Sequence, residues 1–255
     1  MPIEALNAPL RNRVRRVASD RPWVWITLGW RDMMAHRAIS LSLGGTLALF
    51  GWLLSLLLFE AGAPWAILPA TAGFFILAPL LATPLYEVSR RAELGQTVTL
   101  HQAMQAFRPQ IAMMGVLLLI IHLFWVRVAG LLFALFFGGV ALPSLAQLPM
   151  AMLQSEALLP FLVTGTGFGC LLAAGTFALT AVSLPMLVDR DITWLEAVTI
   201  SVQAVMENSR AMALWAGLIV LFTGLALVPF FLGLVVAMPL IGHATWHAYR
   251  DLVIR

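Results

Sequence analysis

Between Ile39 and Ile241 the chain is a succession of long apolar runs separated by short polar stretches. The runs are about twenty residues or longer, the helical length that crosses a hydrocarbon core about 30 Å thick. Inside lipid every backbone N–H and C=O must find its partner within the segment, so such runs fold as helices. Composition agrees, with 61% hydrophobic and 11% charged residues, where a soluble domain carries about 25% charge. Segments of short alternation, which would mark a membrane β-barrel, are missing. The expected fold class is an all-α membrane protein with six transmembrane helices.

Span 1 is placed from about Ile39 to Phe59, followed by a turn at Glu60–Pro64. Span 2 runs from about Trp65 to Tyr86, with Pro69, Pro79 and Pro84 as local kinks or stops. Span 3 covers Ile111–Phe137, and a surface-packed loop follows to Leu159, with Pro143 and Pro149 in it. Span 4 covers Pro160–Val188. Its Gly165, Gly169 and Ala173 recur every fourth residue, as in a small-residue seam between membrane helices. The run from Ala211 to Ile241 is too long for one span and divides into spans 5 and 6 near Leu227-Val-Pro229. Span 6 then ends in Gly242-His-Ala-Thr-Trp-His-Ala-Tyr-Arg250, read as an interfacial aromatic belt with a charged stop.

The polar stretches before spans 1, 3 and 5 are amphipathic. Trp23, Ile26, Trp30 and Met33 fall on one helical face suited to the headgroup layer. Thr99 with Gln102, and Thr193 with Glu196, have capping-box spacing. Met33-Arg37-Gly44, Met104-Arg108-Gly115 and Met206-Arg210-Gly217 share one spacing, and Pro79, Pro185 and Pro239 each stand near the inner end of a hairpin. These echoes predict three repeats of an amphipathic cytoplasmic helix plus a transmembrane hairpin, over about 22–91, 92–191 and 192–255. Residues 1–21 read as a mobile Arg-rich cytoplasmic tail, and 22–255 as a single six-span domain. Arg37, Arg108 and Arg210 are expected in the headgroup layer, and the three glycines against neighbouring spans.

All 15 basic residues are Arg, and the net charge is +3. Fourteen of them lie in the segment before span 1, the two internal surface segments and the segment after span 6. The opposite loops carry Glu60 and Glu156 and no Arg. By the positive-inside rule both termini are cytoplasmic. Arg11, Arg13, Arg15 and Arg16 read as a membrane-flanking anchor rather than a nucleic-acid patch.

Pro84-Leu-Tyr-Glu-Val-Ser-Arg-Arg91, Val182-Ser-Leu-Pro-Met-Leu-Val-Asp-Arg-Asp191 and above all Gly242–Arg250 resemble the domain of unknown function 2189 family. The resemblance runs over nearly everything after the tail and implies a six-span bacterial inner-membrane protein of unestablished function. Some members carry a label as cytochrome c oxidase subunit I. The residues oppose that label. His243 and His247 share one helical face, so they cannot approach a haem iron from opposite sides, and the chain is about half the length such a core subunit needs.

His243 and His247, one helical turn apart, are the candidate metal ligands, with His36, His101, Asp189 or Glu207 as a third. The favoured reading is interfacial histidines without metal, and no cofactor is expected. Arg127 is the one charge inside an apolar span, and His122 the one histidine deep in a span. Arg127 is expected to snorkel to the outer surface rather than contact a substrate. Thr164-Gly-Thr-Gly-Phe-Gly169 lacks the Lys-Ser/Thr ending of a phosphate loop. With no nucleophile set or acid pair in the sequence, the expectation is a protein that is not an enzyme. It would be an accessory or assembly component of another inner-membrane complex, or alternatively a carrier for a lipid or small amphiphile.

Overall fold

Prolines and hydroxyls decide where the helices of this chain break. The computed structural model describes residues 13–62, 67–138 and 148–254. The helices are α1 (Arg21–Ala35), α2 (Arg37–Glu60), α3 (Ile67–Leu81), α4 (Thr83–Glu93), α5 (Leu100–Met104), α6 (Pro109–Phe137), α7 (Leu148–Leu153), α8 (Leu158–Thr180), α9 (Ser183–Asp189), α10 (Trp194–Glu207), α11 (Ser209–Leu227) and α12 (Leu234–Leu252). Pro84 has no N–H for the carbonyl of Leu80, and the Thr83 hydroxyl donates to that carbonyl instead, at 2.7 Å. The helix therefore breaks at Ala82. Between α8 and α9 the Ser201 hydroxyl enters the ladder, accepting from the Val182 N–H at 3.2 Å and donating to the Ala178 carbonyl at 2.8 Å. Pro239 lies inside α12 without breaking it. The carbonyl it leaves without an N–H belongs to Val235, and Gly44 of α2 packs there: a Cβ on Gly44 would lie 2.4 Å from that oxygen.

Among the described residues, four helical stretches are long and apolar enough to cross a membrane: α2, α6, α8 continued by α9, and α11. The expected spans 2 and 6 do not reach that standard among the described residues. Span 2 is cut at Ala82, and residues 83–89 of α4 are buried within the protein. The apolar part of α12 ends at Ile241, and the remainder is polar and also mostly buried. The break expected near Leu227-Val-Pro229 is present: the chain reverses through Phe230 and Phe231, both at positive φ, and Gly233 packs on Ala226.

The chain forms two compact units. One comprises Met1–Leu49, Pro79–Met114 and Phe177–Arg255. Its centre is α12, which packs against α1, α4, α9 and α11. Gly29 brings α1 so close to α12 that a Cβ there would sit 2.6 Å from the Ala244 nitrogen. Trp25, Trp215, Trp246, Tyr86 and Tyr249 are its largest fully buried side chains. Trp25 and Trp215 meet edge to face at 5.8 Å. The Gly242–Arg250 motif is thus interior: Trp246 and Tyr249 line the core, and the aromatic-belt reading is corrected.

The other unit comprises Phe50–Ala78 and Gly115–Thr176. Phe133, Phe136 and Phe137 of α6 surround Phe161 of α8, with ring centroids 5.2 to 6.4 Å apart. The small-residue seam is only partly used. A Cβ on Gly169 would lie 3.5 Å from the Trp125 ring, whereas a Cβ on Gly165 would meet nothing within 4 Å.

Several expectations change in detail. The tail is tied down over residues 13–17: Val14 bridges Val253, the Arg15 N–H donates to the Leu252 carbonyl, and Asn208 holds Arg15 and Val17. Residues 1–12 of that tail, and Pro64 and Pro143 of the expected turns, lie outside the described residues. The α1 stripe splits, because Met33 is fully buried on α12 while Trp23 and Trp30 are exposed. The Thr99–Gln102 capping box forms in full, and Thr193 caps through the Glu196 N–H. The three Met-Arg-Gly echoes are not equivalent. Met33 is buried while Met104 and Met206 are exposed, and Gly44 packs tightly while Gly217 meets nothing within 4 Å.

Gly44 and its neighbour Gly45 supply a controlled comparison. Gly44→Ala should lower the thermal unfolding midpoint in detergent, with a cost of about 1–3 kcal/mol from overpacking against backbone. Gly45→Ala, where a Cβ meets nothing within 4 Å, should leave the midpoint unchanged or raise it through better helix propensity.

Candidate functional site

Within the α12-centred unit, four helices bring their polar residues to one place. Past Ile241, α12 carries His243 and His247 on one face. His243 has no exposed surface. Its Nε2 lies 2.9 Å from the Ser40 hydroxyl of α2, and its Nδ1 lies 2.8 Å from the Ser89 hydroxyl of α4. Ser89 also donates to Asp32 Oδ2 of α1 at 2.8 Å. His247 Nε2 reaches that same oxygen at 2.8 Å.

The protons in this chain can be assigned by elimination. Burial pushes the Asp32 carboxyl up, but the hydrogen bonds from His247 and Ser89 outweigh it and leave the group below its ordinary value. Asp32 is therefore an acceptor only. Ser89 spends its one proton on Asp32, so it accepts from His243 Nδ1–H. Burial drives the His243 imidazole down to about 4, against a weaker upward pull from Asp32. A neutral ring protonated at Nδ1 leaves Nε2 as an acceptor, and Ser40 donates to it. The result is a directed relay from Ser40 through His243 and Ser89 to Asp32, with His247 donating from the other side.

A second layer of ion pairs surrounds it. Glu93 accepts from Arg250 at 2.8 Å and from the Trp246 indole N–H at 3.2 Å. Burial pushes Glu87 up, yet the forked hydrogen bonds from Arg90 and Arg91 hold it below the usual carboxylate range. Tyr249 donates to Asp189 at 2.7 Å and accepts from Arg190 at 2.9 Å. Asp251 accepts from Arg21 and from the Trp25 indole. A cleft of about 730 Å³ opens beside the relay, lined among others by Arg31, Asp32, His36, Glu93, Gln96 and His247.

The residues singled out in the sequence are distributed as follows. His243 and His247 share this site, but both His243 nitrogens are engaged by serines. Of the third ligands considered, His36 bonds the Asp32 carbonyl at 3.2 Å, His101 bonds Gln105, Glu207 bonds Gln203, and Asp189 bonds Tyr249. Among the described residues no three His, Cys, Asp or Glu side chains come together as a metal group. Arg37, Arg108 and Arg210 each stand at or just beside the start of α2, α6 or α11, and all three are exposed. Arg127 is exposed on α6, and His122 of the second unit packs its ring on Gly73, with Nδ1 buried and without a hydrogen-bond partner. Sequence reasoning missed Asp32, Ser40 and Ser89. Ser40 and Ser89 were legible only as small polar residues within or beside apolar runs, and nothing in their spacing links them to a histidine at 243.

The network makes stability depend on pH in a stated direction. His243 has an ordinary value of 6.5 and a folded value of about 4. Between those values the unfolded chain binds a proton that the folded chain refuses, so stability falls as pH is lowered across that window. Asp32 acts in the same sense further down: its contribution is complete above 3.8 and is lost as pH falls through its lower folded value. The unfolding midpoint in detergent should be flat above pH 6.5. It should then decline towards pH 4, with a loss of about 3 kcal/mol for His243. His243→Gln should start from a lower midpoint and lack the decline in that window.

Residues 67–189 match a family model described as a predicted integral membrane protein, the domain of unknown function 2189. The match takes in the motifs at Pro84 and Val182, and the Gly242–Arg250 motif lies beyond it. No curated protein and no solved structure matches the chain.

Proposed function

Residues 67–189 belong to the domain of unknown function 2189 family of predicted integral membrane proteins, and on that premise we propose that the chain is a non-catalytic accessory or assembly component of another inner-membrane complex. The observation that carries this reading is the saturation of the polar centre. Ser40, His243 and Asp32 are the residue types of an acyl-transfer set, but Ser40 and His243 have no exposed surface and Ser89 has 1%. A nucleophile must come within about 3 Å of a reacting atom, and these oxygens face only protein. Each polar group is spent on holding α1, α2 and α4 to α12. What the site presents outward is the cleft, with Arg31, His36, Glu93 and Gln96 at its walls, a surface suited to a polar segment of a partner.

The proposed topology has six crossings with both termini in the cytoplasm. The third and fourth are α6 and α8 with α9, and the sixth ends at Ile241. The near one-sided distribution of Arg supports it. The pairwise packing of α4, α9 and α12, the three inner ends of the even-numbered crossings, supports a threefold plan. The carrier alternative gains less. Arg127, the residue that would contact a substrate, is exposed, and it does not line the cleft at Asp32–His247.

The test is affinity purification of the full chain from native membranes, with mass spectrometry of what accompanies it. A membrane protein complex should be recovered with the wild-type chain and be depleted several-fold by Arg31→Glu with Gln96→Arg, two changes at the cleft wall. Recovery of nothing above background with the wild-type chain would count against the proposal.

A further inference from the structure

Helix α1 has three faces, and only two of them are occupied by the protein. Trp25, Gly29 and Met33 pack on α12, and Leu28, Asp32 and Ala35 border the cleft. The third face carries Trp23, Thr27, Trp30 and Met34, in the i, i+4, i+7, i+11 register that stacks side chains along one line. At 100° per residue this line lies about 140° around the helix from the buried face. Trp23, Trp30 and Met34 are 53%, 48% and 41% exposed. The Thr27 hydroxyl donates to the Trp23 carbonyl at 2.9 Å, so the helix itself satisfies the one hydroxyl on the stripe.

We infer that this stripe is seated in the headgroup layer of the bilayer, so that the occupant of the free face of α1 is lipid. Three observations select lipid. First, a single residue, His36, separates α1 from α2, a helix long and apolar enough to cross the membrane. The C-terminal end of α1 therefore lies at the level where α2 enters the membrane. Secondly, the stripe pairs large amphipathic rings with a charge pattern that suits phosphates. Arg31 and Arg37 are exposed beside it, while Asp32, the one acid of α1, is turned inward onto Ser89 and His247. Thirdly, neither the Trp23 nor the Trp30 indole N–H is hydrogen-bonded among the described residues, and an indole with an apolar body and an unspent donor is suited to the boundary between acyl chains and headgroups. α1 then works as a keel: one face grips α12 and another rides on the lipid surface, which fixes the position of the Asp32–His243 relay relative to that surface.

The experiment uses the full chain with Cys170→Ser, the chain's single cysteine, and single cysteines placed in turn at Asp20, Trp23, Thr27, Trp30 and Met34. Each is labelled with a nitroxide and reconstituted in nanodiscs of phosphatidylcholine with phosphatidylglycerol. Collision rates are measured with oxygen, which concentrates in lipid, and with a water-soluble nickel complex. All five positions are exposed, so the labels leave the core intact, and an unchanged unfolding midpoint checks this. The oxygen-to-nickel ratio should be several-fold higher at 23, 27, 30 and 34 than at 20. Equal ratios at all five positions would overturn the inference. So would stripe positions that are open to nickel in nanodiscs but closed to both reagents in native membranes, since that would mean a protein covers this face.

Discussion

An imidazole with no access to solvent can sit at the centre of a fold only if both of its nitrogens are satisfied. His243 meets that condition with two hydroxyls supplied by two different helices, Ser40 from α2 and Ser89 from α4. The cost of an unmet buried polar group is about 1–3 kcal/mol, so each serine is held in register as firmly as the histidine is. Asp32 then completes the set from α1, because Ser89 needs an acceptor for its own proton. One side chain on α12 thereby fixes the relative positions of three other helices. The close approaches at Gly29, Gly44 and Gly242 are what allow those helices to come near enough for hydroxyl-length contacts.

The same economy runs through the helix breaks. Membrane helices tolerate proline when another group takes up the released backbone partner. Here the Thr83 hydroxyl does so at Pro84, Gly44 packs against the carbonyl that Pro239 leaves without an N–H, and the Ser201 hydroxyl bridges the opened ladder between α8 and α9. In each case the polar group is not surplus.

Much of the framework could be read from the residues alone. Long apolar runs yielded α2, α6, α8 and α11, the caps at Thr99 and Thr193 are in place, and α11 ends at Leu227 just before the chain reverses through Phe230 and Phe231. Those signals are local: a run length, a four-residue spacing, a missing N–H. The polar site was not legible in the same way. Ser40 and His243 are 203 residues apart in the chain and Asp32 lies further still from His243, and only the packing of α1, α2 and α4 on α12 brings these residues and Ser89 together. Gly242–Arg250 was misread as an interfacial belt for a related reason. Trp, Tyr and Arg near a helix end suit a water–lipid boundary, but the same residues suit a protein core once Glu93, Asp189 and Arg190 are there to bond their polar tips. Sequence pattern does not distinguish those two settings. The Met-Arg-Gly spacing has the same limitation, since equal spacing places residues at equal heights along a helix without saying which face a neighbour will cover.

The dependence of α1 on α12 also sets an order of events in time. Gly29, Trp25 and Asp32 all find their partners on α12 or beside it, and residues 13–15 pair with 252–254. During synthesis α1 leaves the ribosome about 200 residues before α12 does, and N-terminal segments commonly fold first. Here the early segment has nothing to fold on. Its α12-facing side, with Trp25 and Met33, must wait through the insertion of every intervening helix, exposed or shielded by something else. Assembly of this unit is therefore a closing step, in which the beginning of the chain is locked by its end, and the slow, long-range contact formation that this requires falls after the membrane helices are already in place.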